Sequence, residues 1–403
     1  MSSWRRLPYR RSLAGVAAGI LAATLLSAEC PDAVPQGGEG GEGGEGGESG
    51  AATELDQGRA PGSDAPYSLK VRWLVPPDPS GDPPLAAPVA LSVDESRGRL
   101  YVLETQPPEL RVYDLRDGRY IGALGREGDG PGEYRRPIAL AVGASGLVAV
   151  LSVSGRITYW APNGALVGIE QAGPGIATDI VSAGADTFYV KTDIFPPDDV
   201  AEFRVATGDT VLGQPILRDS GIPGTEEPGR PFRNHAYAIA ATAEGELLIA
   251  PPGPDYTIMR IGRTGQAVGS IRRPEITPLR RSEEEIEAVR ERVRKAFSAL
   301  GRAAPASLRV PLYRSHVARL AVGPDGSIWA LTQRGDSRRV IIDRFSAAGA
   351  FTGSFVLELR ASEVAVSSNA IYLLARSTLD VPGVAVSPGP DGSTSRRELD
   401  EPG

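Results

Sequence analysis

The 403-residue chain contains two histidines, His235 and His316, and they stand in matching surroundings. Each lies ten residues before a glycine, Gly245 and Gly326, and one residue short of an apolar run that reads as a strand. In similar stretches elsewhere the same slot holds Ala87, Arg136, Gly175 and Arg360. Arg135, Arg233, Arg314, Tyr134 and Tyr313 fall on the adjoining segments. A guanidinium presents a planar fork of donors that matches a carboxylate or phosphate, and a neutral imidazole both donates and accepts. If the slots converge, these side chains form a binding site for an anionic small molecule or an acidic peptide end. The competing reading is that the same groups satisfy loop carbonyls and pair with acids between neighbouring units.

Two imidazoles with a carboxylate and a water would also suffice for a metal ion, so a metal-dependent reaction at His235 and His316 is the alternative function. No Gly-x-Ser-x-Gly elbow, Walker loop or His-Glu-x-x-His stretch occurs. No catalytic residue is assigned and no cofactor is expected. The expected partner is a protein, a peptide or an anionic small molecule, bound by a monomer. Net charge is −7, and residues 30–66 hold eight acids against one arginine, so the rest of the chain is close to balanced. No basic tail argues for nucleic acid.

The elements that would position these residues repeat. A short apolar strand, a glycine or asparagine turn and a second apolar strand recur six times, with first strands at Val89–Val93, Ile138–Val142, Ala177–Val181, Tyr237–Ala241, Ala318–Val322 and Glu363–Val366. Third and fourth strands are clearest at Leu110–Tyr113 and Tyr120–Leu124, and at Val340–Phe345 and Phe351–Val356. Successive first strands end 39 to 49 residues apart, except for intervals of 60 and 81. The wider intervals hold a Gly/Pro-rich insertion at Ser220–Arg233 and a helix at Ser282–Leu300. Periods of about 40–50 residues with four strands each indicate a β-propeller. With 49 glycines, 35 prolines and 6% aromatics, the composition suits an all-β chain rich in turns. The expected fold is therefore an all-β, six-bladed β-propeller with one inserted helix, over residues 67–390.

The Pro-Ile-Ala-Leu-Ala-Val start at Pro137, the Gly-Arg-Leu-Tyr-Val strand at Gly98 and the glycine-rich joint Gly125–Pro137 resemble NHL-type six-bladed propellers, including secreted bacterial lipoproteins of unassigned function. The resemblance implies that first strands line a central channel and that the slots of Arg136, His235, His316 and Arg360 ring its mouth. Some six-bladed propellers are metal-dependent lyases or lactonases. The lyase pattern uses three channel histidines, one more than this chain has. The lactonase pattern uses a Glu, Asn and Asp set, to which Glu363 and Asp179 could contribute, but no Asn falls in a first strand.

The sixth unit lacks a fourth strand, while Ser68–Val75 stands alone before the first unit, with Leu69, Val71, Trp73 and Val75 on one face. An unpaired edge exposes a row of backbone donors and acceptors, so this strand is expected to complete the last blade. The helix, within an insertion spanning 280–301, opens with a Ser282–Glu285 capping box and carries an apolar stripe of Ile286, Val289, Val293, Phe297 and Leu300. It is expected to cover apolar surface on the mouth side of the ring.

Ahead of the repeats, Arg5, Arg6, Arg10 and Arg11 precede an uncharged apolar run, Leu13–Leu26, shorter than the ~20 residues of a membrane-spanning helix. Residues 1–29 therefore read as a signal peptide. Cys30, the single cysteine, has no disulfide partner and occupies the place of a lipidated cysteine, although Glu29 replaces the usual small residue before it. Residues 30–66, rich in Gly-Gly-Glu, read as a flexible tether, and 391–403 as a disordered tail. Export to the periplasm or outer cell surface follows, with the lipid as the only membrane contact.

Overall fold

The computed structural model describes residues 67–69, 72–75, 83–173, 175–194, 200–207, 215–219, 237–299, 310–336, 338–376 and 382–388. The signal, tether, Cys30, the 220–233 insertion and the tail lie outside them, as do Arg233 and His235.

Six antiparallel sheets form the ring. The first strand of each is innermost, and consecutive strands pair outward. Blade one is Pro88–Asp94, Arg99–Thr105, Pro108–Asp114 and Tyr120–Leu124, and blade two is Pro137–Val142, Val148–Ser152, Arg156–Trp160 and Leu166–Gln171. Blade three is Ile176–Ser182, Phe188–Ile194, Val200–Ala206 and Leu217–Asp219; blade four is Ala238–Ala241, Leu247–Ala250, Thr257–Ile261 and Ala267–Arg272. Blade five is Val317–Val322, Ile328–Thr332, Val340–Phe345 and Phe351–Leu357. Inner strands of consecutive blades touch, and that of blade six touches that of blade one, so the ring is closed.

Blade six is built from both chain ends. Arg360–Val366, Ala370–Arg376 and Pro382–Pro388 come from the C-terminal side, and Arg72–Val75 pairs antiparallel with Pro382–Pro388 as the outermost strand. The expected single strand is in fact divided. Tyr67–Ser68 pairs parallel with the outer strand of blade five, and the Leu69 amide donates to the Val356 carbonyl at 3.0 Å. A bulge between Trp73 and Val75 then reverses the side-chain alternation. Leu69 and Trp73 consequently pack between blades five and six, while Leu74 and Val75 pack between six and one.

The core has the same sixfold division. Six apolar clusters are resolved among the described residues, one at each blade-to-blade interface. Successive strand side chains point to opposite faces. Leu100 and Val102 therefore pack toward blade six, while Tyr101 and Leu103 pack toward blade two. This explains why the second strands are mainly apolar: both faces are buried, and in blade three the charges Lys191 and Asp193 pair with each other.

Helix α1 runs Glu283–Ala299 between the outer strand of blade four and the inner strand of blade five. Its capping box forms: the Glu285 amide donates to Ser282 Oγ at 3.1 Å, and the Ser282 amide to Glu285 Oε2 at 2.8 Å. Val289 is buried and Ile286 partly so. The side chains of Val293, Phe297 and Leu300 lie outside the described residues. The joint before blade two is fastened by Tyr134, which is fully buried and whose hydroxyl accepts from Trp160 Nε1 at 2.5 Å.

Candidate functional site: the central channel

The inner strands enclose a cavity of about 1470 Å³. Its wall is mainly alanine, valine, leucine and isoleucine, and its charged lining is confined to a few positions. Each inner strand begins at one end of the channel, so Arg136 and Arg360, at or just before strand starts, mark that mouth together with Arg376. Asp94 and Glu95 lie at the opposite end.

A bulge recurs early in the inner strands of blades one, two, three, five and six, and the residue after it is Ala90, Ala139, Asp179, Arg319 and Glu363 respectively. Two blades thus contribute a methyl group where three contribute a charge. Blades three and six stand opposite in a ring of six, so Asp179 and Glu363 approach the channel from opposite sides, with Arg319 between them on blade five. Arg319 Nε donates to Glu363 Oε1 at 2.5 Å, and Arg319 Nη1 to the Ala318 carbonyl at 2.9 Å. Burial pushes the Glu363 carboxyl up to about 7; Arg319 opposes the rise and the charge of Asp179 adds to it. Burial also raises Asp179, against the pull of Arg319, the Ile180 amide and Lys191.

Lys191 lies behind this level on the second strand of blade three, opposite Asp179 in register. Its ammonium donates to Asp193 Oδ1 at 2.8 Å and to Thr178 Oγ1 at 2.7 Å, and it stands 5.7 Å from the centre of the Tyr237 ring. Both members of the Lys191–Asp193 pair are 3% exposed, so these charges are spent on each other.

Arg136 differs from its neighbours. Its φ of 54° is in the left-handed region that a non-glycine residue rarely adopts. Its side chain is exposed and, among the described residues, has no protein partner. Arg135, by contrast, pairs with Asp129 at 2.6 Å, and Arg156 donates to the carbonyls of Asp129 and Gly130 at 2.7 and 2.5 Å. Arg360 and Arg376 have interactions of their own.

The slots expected to ring the mouth do not act alike. Arg136 and Arg360 line the channel, whereas His316 does not. His316 is 2% exposed, donates from Nε2 to the Pro254 carbonyl at 2.7 Å, and packs on Tyr256 with ring centres 5.6 Å apart. Burial lowers its pKa, so it stays neutral near pH 7. It belongs to the blade four–five interface, beside buried Asp343, which pairs with Arg334 and, at 3.4 Å, with Arg273. Arg314 lies 3.8 Å from Glu285 of helix α1 and lines a small separate hollow of about 50 Å³ with Arg360. Tyr134 is inside the blade one–two core and Arg135 is on the joint. Among the described residues, none of helix α1 lines the channel.

Among the described residues no group of three or more His, Cys, Asp and Glu side chains is arranged to hold a metal ion. Arg319 and Lys191 were not singled out from sequence. The signal was present: each is a charge within the core-forming part of a blade, Arg319 in a first strand and Lys191 in a second.

No protein-family model and no curated protein matches the sequence. Several solved structures are similar in shape. U3-55K is 12% identical, with a TM-score of 0.49 over 81% of this chain and 100% of that one. A calcium-binding protein, regucalcin, from Agrobacterium tumefaciens is 13% identical, with a TM-score of 0.47 over 80% and 94%. A putative exported protein from Bacteroides fragilis is 10% identical, with a TM-score of 0.48 over 81% and 97%. The chain's own sheet order and closure establish it as a six-bladed β-propeller.

Proposed function

We propose that this protein is a binding module whose ligand enters the channel at the Arg136 end and presents a carboxylate or phosphate to that guanidinium. The observation that carries the reading is the contrast among arginines. Arg135 pairs with Asp129, Arg319 with Glu363, and Arg156 donates to two carbonyls, while Arg136 is held in an uncommon backbone conformation at the rim with no side-chain partner among the described residues. An apolar cavity with a few convergent polar groups is the usual form of a small-ligand site. Strain retained at such a position is consistent with a functional demand.

Succinate, citrate and inorganic phosphate, titrated calorimetrically, test the proposal. A charge-assisted hydrogen bond contributes roughly 1.5–3 kcal/mol, so Arg136→Ala should weaken the preferred probe by about ten- to a hundredfold. An unchanged affinity refutes the site. The reading extends to location: the basic start, the apolar run and Cys30 support an exported module, tethered through a lipid on that cysteine. The mass of the mature N-terminal fragment, compared with that of Cys30→Ser, tests the anchoring.

A further inference from the structure

The channel contains a second unspent charge. Among the carboxylates around its middle, Glu363 is engaged by Arg319, and Asp193 by Lys191. Asp179 is not engaged in this way. Its Oδ1 accepts from the Ile180 amide at 2.9 Å, and no cationic nitrogen contacts it among the described residues. The cations that act on it, Arg319 and Lys191, do so across space while bonded to other groups. Asp179 is partly exposed on the channel wall without a bonded cation, so a ligand ammonium could supply its counter-charge there. An ammonium group needs one carboxylate at this place, which Asp179 supplies.

Asp179 and Arg136 belong to neighbouring blades. Arg136 stands three residues before Ala139, which holds the same post-bulge position in blade two as Asp179 does in blade three. Three strand residues span roughly 10 Å, and so does an extended chain of about three residues. The wall between these levels is formed by Ile138, Ala139, Ile176 and Ala177. It offers apolar surface to small side chains.

Resting on the reading above, we infer that the channel takes a short zwitterionic ligand, a free-ended peptide of about three residues, with its carboxylate on Arg136 and its ammonium on Asp179. The ends are distinguished by charge: the reverse orientation would place an ammonium on a guanidinium and a carboxylate on a carboxylate.

Calorimetry on the full chain at pH 7.5 with trialanine, N-acetyl-trialanine and trialanine amide tests this. Free trialanine should bind at least tenfold more tightly than either blocked form. Asp179→Asn should weaken free trialanine at least tenfold while leaving the acetylated form unchanged. Equal binding of free and acetylated peptide to the unaltered protein overturns the inference, whatever the fate of the variant. So does an Asp179→Asn protein that melts normally and binds trialanine as before. Arg136-dependent binding of succinate without binding of trialanine overturns this inference and leaves the anion site standing. Loss of Arg136 dependence for both probes overturns the two together.

Discussion

Glu363 should make the propeller less stable as pH rises across neutrality. Its carboxyl shifts from an ordinary 4.5 to about 7 in the folded ring, chiefly through burial, with Arg319 beside it and Asp179 across the channel. Between those two values the folded state holds a proton that the unfolded chain has released. Stability is therefore fully present below pH 4.5, is lost as pH rises through 7, and levels off above. One pKa unit corresponds to 1.36 kcal/mol, so the whole displacement corresponds to roughly 3 kcal/mol. The side chain is 17% exposed and carries a direct ion pair, so about 2 kcal/mol is the expected loss. Denaturant unfolding of the wild type and of Glu363→Gln at intervals from pH 4.5 to 8.5 gives the difference curve. Only the wild type retains this titration, and the subtraction removes other groups, His316 included. The difference should change by about 2 kcal/mol, with its midpoint between pH 5 and 7. A flat difference curve, or a carbon-13 titration placing the Glu363 carboxyl near 4.5, would refute the raised carboxyl.

Leu74→Ala should cost roughly 2–5 kcal/mol, because Leu74 is 3% exposed in the cluster between blades six and one. A thermal melt checks it, and a loss below 1 kcal/mol would refute ring closure by this strand. Asp343→Ala should destabilise by about 3 kcal/mol, since it takes the paired acid from Arg334 at a buried position, while buried Arg273 keeps Glu275 at 2.7 Å. Denaturant unfolding reads this directly, and a neutral result would mean that water reaches the blade four–five interface.

Much of the fold was legible because each blade repeats one pattern and the second strands are largely apolar on both faces. The turn glycines and the Ser282–Glu285 cap were legible for the same local reason: their chemistry depends on residues only a few positions apart. The division of the closing strand was not. It depends on the bulge between Trp73 and Val75, and the alternation of Leu69, Val71, Trp73 and Val75 reads as a single face. At the site, Arg136 and His316 occupy the same slot in sequence, yet only Arg136 lines the channel. Its φ of 54° turns the chain, whereas His316 enters the blade interface beside Tyr256. Equal spacing fixed where each residue sits along its strand and left its direction open. Asp179 and Glu363 were legible as carboxylates in first strands, but their relation to Arg319 depends on blades that are far apart in sequence.

The N-terminal segment reaches the ring through two fastenings in succession. Residues 67–69 lie along the outer strand of blade five, and 72–75 then zip onto the edge of blade six. Any pull arriving from the N-terminal side must first break the short parallel clasp before it loads the strand that shuts the circle. The molecule thus carries a mechanical fuse: a few hydrogen bonds on one blade yield first and shield the seam on the next.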